Sequence, residues 1–220
     1  MRWLLLVAAT ACGSPARADD HYLTIFAAES VPFRPEKTHT FISATHVPAG
    51  GGPAVTHDIG WLAATMVVRG IALRPEEGRN FLLHESLAVC RRNCMRVSVW
   101  GPYKIKPELY CLLREQVEFL NTGVVKYKGT DTLVPSRVAM NCYHAIWNVS
   151  HPLRKYAGPF TCGDTTGGKT VHLFREWIVC PEQTHDEILT VLGVEQEPLV
   201  RRPHDYWPRR LAAVRSAVGR

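Results

Sequence analysis

The chain has 220 residues, of which 46% are hydrophobic, 21% are charged and 9% are aromatic, and its formal net charge at pH 7 is +6. This composition excludes an intrinsically disordered chain and a collagen-like chain, and no internal repeat indicates a repeat array. A chain of this length buries enough apolar surface to fold around one core without a metal or a disulfide framework.

The amino end has the pattern of a secretory signal peptide. A positively charged start precedes the apolar run 3–11, and a small-residue site, Ala16-Arg17-Ala18, follows it. We therefore predict a signal peptide over residues 1–18 and an exported protein of the periplasm, the cell envelope or the extracellular space. The run Thr10-Ala11-Cys12 loosely resembles a lipoprotein box, so a lipid anchor at Cys12 stays open as an alternative to simple cleavage. No later stretch is apolar for long enough to span a bilayer.

Six cysteines follow the signal peptide, and an even number of cysteines in an oxidising compartment predicts disulfides. Cys90 and Cys94 flank a turn between two strand-like runs, so they are one candidate pair. Cys162 and Cys180 bracket a second segment and are the other candidate pair. A CxxxC pair also occurs in zinc sites, but no nearby pair at ligand spacing completes four ligands. We predict no metal and no cofactor.

The first half of the chain predicts two β-hairpins. Residues 38–47 and 55–68 are rich in Thr, Ile, Phe and Val and flank a turn of Gly and Pro. Residues 81–90 and 95–105 are the strands of the second hairpin. Four strands in meander order predict an antiparallel sheet.

The second half predicts helices. Apolar residues recur at helical spacing from Pro107 to Gly123, with Pro at the start and Gly just past the end. A second, buried helix is expected to begin near Asn141, since Asn is a favoured N-cap residue. Residues 170–180 predict a strand and residues 185–192 a short helix.

Strands first and helices later, without βαβ alternation, predict the α+β class, with two or three helices packed against the sheet. We expect one domain over residues 19–197. Residues 198–220 form a basic C-terminal extension, with extended chain over 198–208. A charged tail is usually solvated, although an acidic surface such as a membrane or a wall polymer is an alternative partner.

Residues 163–170 match the pattern GxxxxGK[ST] of phosphate-binding loops. Such a loop needs a buried strand before it and a helix after it, so that backbone amides meet the phosphates. Residues 155–161 are a poor strand, and residues 171–179 alternate like a strand. We therefore interpret the segment as a Gly-rich turn.

Cys142 lies where a cysteine nucleophile is activated. At the first turn of a helix, the backbone dipole and the unpaired amides lower the pKa of a thiol. The same amides can stabilise an oxyanion, which places Asn141 beside the reacting group. His144 follows two residues later and points away on a helix, so we assign it to packing or to a supporting position.

A nucleophile also needs a base. His39 opens the first strand, and the hairpin brings His57 and Asp58 toward the same end, where either side chain can orient the first imidazole. His39, His57 and Cys142 therefore form a candidate triad. Each of these residue types is also common as a buried or hydrogen-bonded structural residue.

A histidine at the start of a meander strand, then a helix, then a helix that begins Asn141-Cys142-x-His144, resembles the circularly permuted papain-like hydrolases of the NlpC type. This group includes the lecithin:retinol acyltransferase-like proteins. The resemblance covers about half the chain, from His39 to Trp147. It implies a permuted papain-like fold and a thiol acyl-enzyme mechanism, with Cys142 as nucleophile, His39 as general base and His57 as the orienting group. The substrates would be amide or ester bonds in peptides, cell-wall peptides or lipids.

The leading hypothesis is thus an exported papain-like thiol hydrolase or acyltransferase. The alternative is a non-catalytic secreted binding or structural domain stabilised by disulfides, in which Cys142 pairs with Cys111 or is simply buried. No motif indicates nucleic-acid binding.

Overall fold

In a computed structural model, the described residues are 18–67, 74–130, 138–149 and 163–218. Residues 1–17 of the predicted signal peptide, with Cys12, and also Cys162 lie outside the described residues. The described part is an α+β fold with two sheets and six α-helices. The strands are β1 (Asp20–Glu29), β2 (Thr38–Val47), β3 (Val55–Ile59), β4 (Trp61–Ala63), β5 (Glu76–Asn80), β6 (Arg96–Lys104), β7 (Lys126–Tyr127), β8 (Ala139–Met140) and β9 (Leu199–Arg201). The helices are α1 (Leu83–Arg92), α2 (Pro107–Asn121), α3 (Cys142–Trp147), α4 (Asp164–Leu173), α5 (Glu187–Val191) and α6 (Tyr206–Val218).

The main sheet has the strand order β3-β2-β1-β6-β9. β1 pairs with β2 over its whole length, from Asp20 opposite Val47 to Glu29 opposite Thr38. The pairing is antiparallel except at the edge, where β9 runs parallel to β6. A smaller sheet has the order β4-β5-β7-β8. The α+β class is confirmed, but both sheets have mixed strand orientation and are not a simple antiparallel meander.

The main sheet has two buried faces, because side chains alternate along each strand. We call the front face the one lined by Leu23, Ile25, Ala27, Ile42 and Ala44, which belongs to the larger core and packs against α2, α3 and α4. The back face carries the smaller core together with residues of α1 and α5. Its members on the sheet are Phe26, Ala28, Phe41, Val97 and Val99. A side chain on one face is therefore separated from the other face by the sheet itself.

The second predicted hairpin is wrong in its first strand, because residues 83–92 form the helix α1. Leu83, Leu87 and Cys90 are buried at helical spacing on one side of α1. Glu85 accepts a hydrogen bond from the Leu82 amide at 2.9 Å, which satisfies one of the unpaired amides at the helix start. The sequence itself shows this helical spacing of Leu83, Leu87 and Cys90, so the helix could have been predicted.

Residues 164–173 are also helical and form neither a Gly-rich turn nor the start of a strand. The glycines of α4 allow close packing. A Cβ atom at Gly167 would lie 2.3 Å from the ring of Trp100, and one at Gly168 would lie 2.9 Å from the ring of Tyr206. Because the helix begins directly after Gly163, the GxxxxGK[ST] pattern does not form a phosphate-binding loop here. The tail is helical as well, since α6 begins at Tyr206 within the segment predicted as extended.

The disulfide prediction is wrong for the described cysteines. Cys90, Cys94, Cys111, Cys142 and Cys180 form no disulfides. Cys90 is buried on α1 while Cys94 is exposed in the turn after it, so the two side chains do not face each other across a hairpin. Burial raises the pKa of the Cys90 thiol to about 12.

Three predicted helices are confirmed, and one of them is α5, which lies within the predicted range 185–192. α2 begins at Pro107 and ends two residues before Gly123. Asn141 is the N-cap of α3, as its position before the apolar run predicts. Among the described helices, none has both the length and the apolar character needed to cross a membrane.

Candidate functional site

Cys142 is the first residue of α3, and its position follows from the cap before it. The Asn141 side chain accepts a hydrogen bond from the His144 amide at 2.9 Å. Cys142 is partly exposed and packs against the larger core on the front face. The thiol is therefore at the start of a helix, as the sequence predicts.

His39 lies on the back face. It is paired with Ala28, and paired residues of neighbouring strands point to the same side of a sheet. The ring of His39 stacks on Phe41 with 5.0 Å between the centroids. The sheet therefore lies between His39 and α3, and the predicted nucleophile and base are not brought together.

The surroundings of His39 also make it a poor general base. Its side chain is buried, and neither ring nitrogen has a hydrogen-bond partner in the described structure. Burial lowers the pKa of His39 to about 3, because an imidazolium in an apolar site loses its hydration. A base with so low a pKa has little driving force to take a proton from a thiol at neutral pH.

His57 and Asp58 are neighbours on β3 and therefore point to opposite faces. His57 pairs with Ala44 and lies on the front face, whereas Asp58 pairs with Ser43 on the back face. The Asp58 carboxylate accepts hydrogen bonds from the Ser43 hydroxyl at 2.6 Å and from the Leu83 amide at 2.8 Å. Asp58 therefore caps α1, and it does not orient the imidazole of His39. Burial raises the pKa of its carboxyl group, and the two hydrogen bonds oppose that shift.

His144 is buried in α3, with its ring 4.3 Å from the ring of Tyr143. This agrees with a packing position. α3 is also tied to α2, because the Gln116 side chain donates a hydrogen bond to the carbonyl of Ala145 at 2.8 Å.

The structure assembles a group of side chains that the sequence prediction missed. His21, His46 and His57 come from the adjacent strands β1, β2 and β3, and all three contact the ring of Tyr110 on α2. We call these four residues the histidine cluster. The rings of His21 and His46 are stacked, with centroids 4.9 Å apart, and the ring of His21 is 4.6 Å from that of Tyr110. The three imidazoles are half-buried on the front face.

Charged groups surround the cluster. Asp19 lies 3.0 Å from Nε2 of His46 and also accepts a hydrogen bond from the Ala49 amide, which holds the pKa of this carboxyl below its usual range. Burial, and secondarily the neighbouring His46, lower the pKa of His21. Burial and the positive charge of Arg114 lower the pKa of His57. These shifts favour the neutral form of both imidazoles.

The histidine cluster could be predicted from the sequence only if the register between the strands were known. His46 lies on the face opposite His39, because the two residues are an odd number of positions apart on one strand. The strand that carries His21 was not predicted, and the face of His57 depends on its pairing with Ala44. Within the described ranges, no group of three or more His, Cys, Asp and Glu residues has a geometry that could hold a metal ion.

A second polar group lies at the other end of the front face. Asp164 at the start of α4 is 2.6 Å from a guanidinium nitrogen of Arg202 and 3.3 Å from one of Arg96. Glu29 pairs with Arg96 and accepts a hydrogen bond from the Asp164 amide at 2.8 Å. These residues pair mainly with one another, so the group joins α4 to the sheet and is structural.

No protein-family model matches this chain, and neither a curated protein nor a solved structure does. The likeness to permuted papain-like hydrolases therefore stays a prediction that rests on the short motifs quoted above.

Proposed function

We propose that this chain is an exported binding domain whose ligand contacts the histidine cluster. The observation that supports the proposal is the grouping of three half-buried imidazoles and one tyrosine ring on adjacent elements, on the front face of the main sheet. The separation of His39 from Cys142 by that sheet favours a binding role over a thiol mechanism in which His39 is the base.

The chemistry of the cluster favours a ligand with hydrogen-bonding and acidic groups. A neutral imidazole offers one donor and one acceptor, and a protonated imidazole offers two donors. Arg114 is close enough to influence the pKa of both His57 and Tyr110 and supplies a permanent positive charge. Peptides with free carboxylates, including cell-wall peptides, carry the complementary groups.

The test is a titration of the protein with a short peptide that has a free carboxylate, followed through the imidazole signals in ¹H–¹³C NMR spectra. We expect shifts in His21, His46 and His57 and none in the exposed His84. His21→Gln should weaken binding, and His84→Gln, the matched control, should not. Unchanged cluster signals at millimolar peptide, or equal affinity of both variants, would contradict the proposal.

A thiol hydrolase or acyltransferase is the second candidate, and the partly exposed Cys142 at the start of α3 favours it. The thiol mechanism would then require a base on the front face. Among the predicted site residues, His57 lies on that face. Attack of the Cys142 thiolate on the carbonyl carbon of an amide or ester would form a thioester and break the C–N or C–O bond, and the imidazolium would protonate the departing amine or alcohol. Water or an acceptor hydroxyl would then attack the thioester, which releases the acyl group as an acid or an ester and regenerates the thiol.

Alkylation with iodoacetamide at pH 7 separates the two candidates. An activated Cys142 would react much faster than the exposed Cys111 in the same chain, and His57→Gln would abolish the difference. The binding proposal predicts that Cys142 reacts no faster than Cys111 and that His57→Gln has no effect on either rate.

A further inference from the structure

One end of the molecule exposes large apolar side chains. In the loop between β1 and β2, Val31 is 70% exposed and Phe33 is 53% exposed. In the turn after β4, Met66 is 43% exposed and Val67 is 57% exposed. We call these four residues the apolar end. Exposed large apolar side chains that are neighbours in a loop or a turn are candidates for contact with a partner.

The two loops lie at the same end of the main sheet. β1 ends at Glu29, which is paired with Arg96 at the start of β6. α1 ends at Arg92, just before β6, and a guanidinium nitrogen of Arg92 lies 3.9 Å from the sulfur of Met66. The turn that carries Met66 therefore lies near the end of the sheet from which the loop with Val31 and Phe33 projects.

The β1–β2 loop is held in one conformation by its own hydrogen bonds. The Ser30 hydroxyl donates to the Pro32 carbonyl at 2.9 Å and accepts from the Arg34 amide at 3.0 Å. The Ser30 amide donates to the Lys37 carbonyl at 3.1 Å. A preorganised loop that presents apolar side chains loses little conformational entropy when those side chains are buried by a partner.

The charges around the apolar end are mostly positive. Arg34, Lys37 and Arg92 are exposed there. Glu36 is the acidic residue of the β1–β2 loop, and Glu77, whose carbonyl accepts a hydrogen bond from the Ala64 amide, is exposed beside the turn that carries Met66. Aromatic and aliphatic side chains bordered by cations are complementary to the interface of a bilayer with anionic lipids. The apolar groups enter the headgroup region, and the cations remain at the phosphates.

We propose that the apolar end docks this domain onto a membrane surface that contains anionic lipids, with Val31 and Phe33 inserted at the headgroup level. The histidine cluster is built from the opposite ends of β1 and β2, so ligand binding there and membrane docking are separate events. Failure of one proposal leaves the other intact.

The test is co-sedimentation of the full chain with vesicles of phosphatidylcholine alone or with a third of phosphatidylglycerol. We expect binding to the anionic vesicles and much weaker binding to the neutral ones. The double variant Val31→Ser/Phe33→Ser should bind at least about tenfold more weakly, because two apolar side chains no longer leave water. Arg34→Gln/Lys37→Gln should lower the affinity and its dependence on salt.

The matched control is Val179→Ser/Val191→Ser, which removes two apolar side chains that are 59% and 48% exposed outside the apolar end. It should bind like the wild type. Circular dichroism and thermal unfolding of each variant verify that the fold is retained. The proposal is overturned if the wild type does not sediment with anionic vesicles, as expected for a protein partner, or if both serine double variants bind equally. Equal binding would also be the result if the amino-terminal apolar run carried the interaction.

Discussion

Acid should destabilise this fold through His39, and the effect can be calculated from its surroundings. His39 is buried on the back face with both ring nitrogens unpartnered, and its pKa falls from 6.5 to about 3. The unfolded chain binds a proton below pH 6.5, but the folded chain binds it only near pH 3. The free energy of unfolding therefore decreases as the pH falls through this window, by about 1.4 kcal/mol for each pH unit well below 6.5.

At pH 5 this linkage lowers the free energy of unfolding by about 2 kcal/mol relative to pH 7.5. His39→Leu replaces the imidazole with an apolar side chain that does not titrate. Urea unfolding, followed by tryptophan fluorescence at both pH values, should show a loss that is about 2 kcal/mol smaller in His39→Leu than in the wild type.

The half-buried histidines of the cluster contribute to the acid dependence of both proteins, so the difference between them isolates His39. His84→Gln, at an exposed position, is the control and should retain the wild-type dependence. If His39→Leu and the wild type lose the same free energy between pH 7.5 and pH 5, the imidazole is hydrated or hydrogen-bonded, and its assignment to the sealed back face is wrong.

Three further experiments test the packing, the ion pairs and the state of the cysteines. Gly167→Ala should lower the free energy of unfolding by about 1–3 kcal/mol, since its methyl group would lie 2.3 Å from the Trp100 ring, whereas Gly50→Ala, with no atom within 4 Å, should be nearly neutral in the same denaturation assay. Asp164→Ala should cost about 3–5 kcal/mol because it leaves the partly buried guanidinium of Arg202 without its carboxylate, and a melting temperature equal to that of the wild type would refute this role. A reducing agent should not change the melting temperature, because the described cysteines form no disulfides; a decrease of several degrees would indicate a disulfide.

The sequence predicted the elements whose signals are local. Pro107 and Gly123 mark the limits of α2, and Asn141 caps α3, because these residues act through their own backbone and their nearest amides. The α+β class follows from the same elements.

Apart from α1, whose helical spacing is visible in the sequence, the errors arise where contacts between residues far apart in the chain decide the structure. β1 is buried along most of its length, so it lacks the alternation of a half-exposed strand. Gly167 and Gly168 in α4 are weak helix formers. They occur there because a side chain at either position would collide with the ring of Trp100 or of Tyr206. The sequence could not show that His39 and Cys142 lie on different sides of the main sheet, because a histidine at the start of a strand reveals its face only when the register with β1 is known.

The parallel pairing of β6 with β9 affects the order in which the main sheet forms. Val97, Ser98 and Val99 bind a strand that lies about 100 residues later in the chain, and that strand is followed by the arginine that fastens α4. Until β9 has been synthesised and has paired, one side of β6 presents open amide and carbonyl groups, which are a template for pairing with another chain. Copies truncated before β9 should therefore self-associate, because pairing with Leu199–Arg201 is what covers this edge of β6.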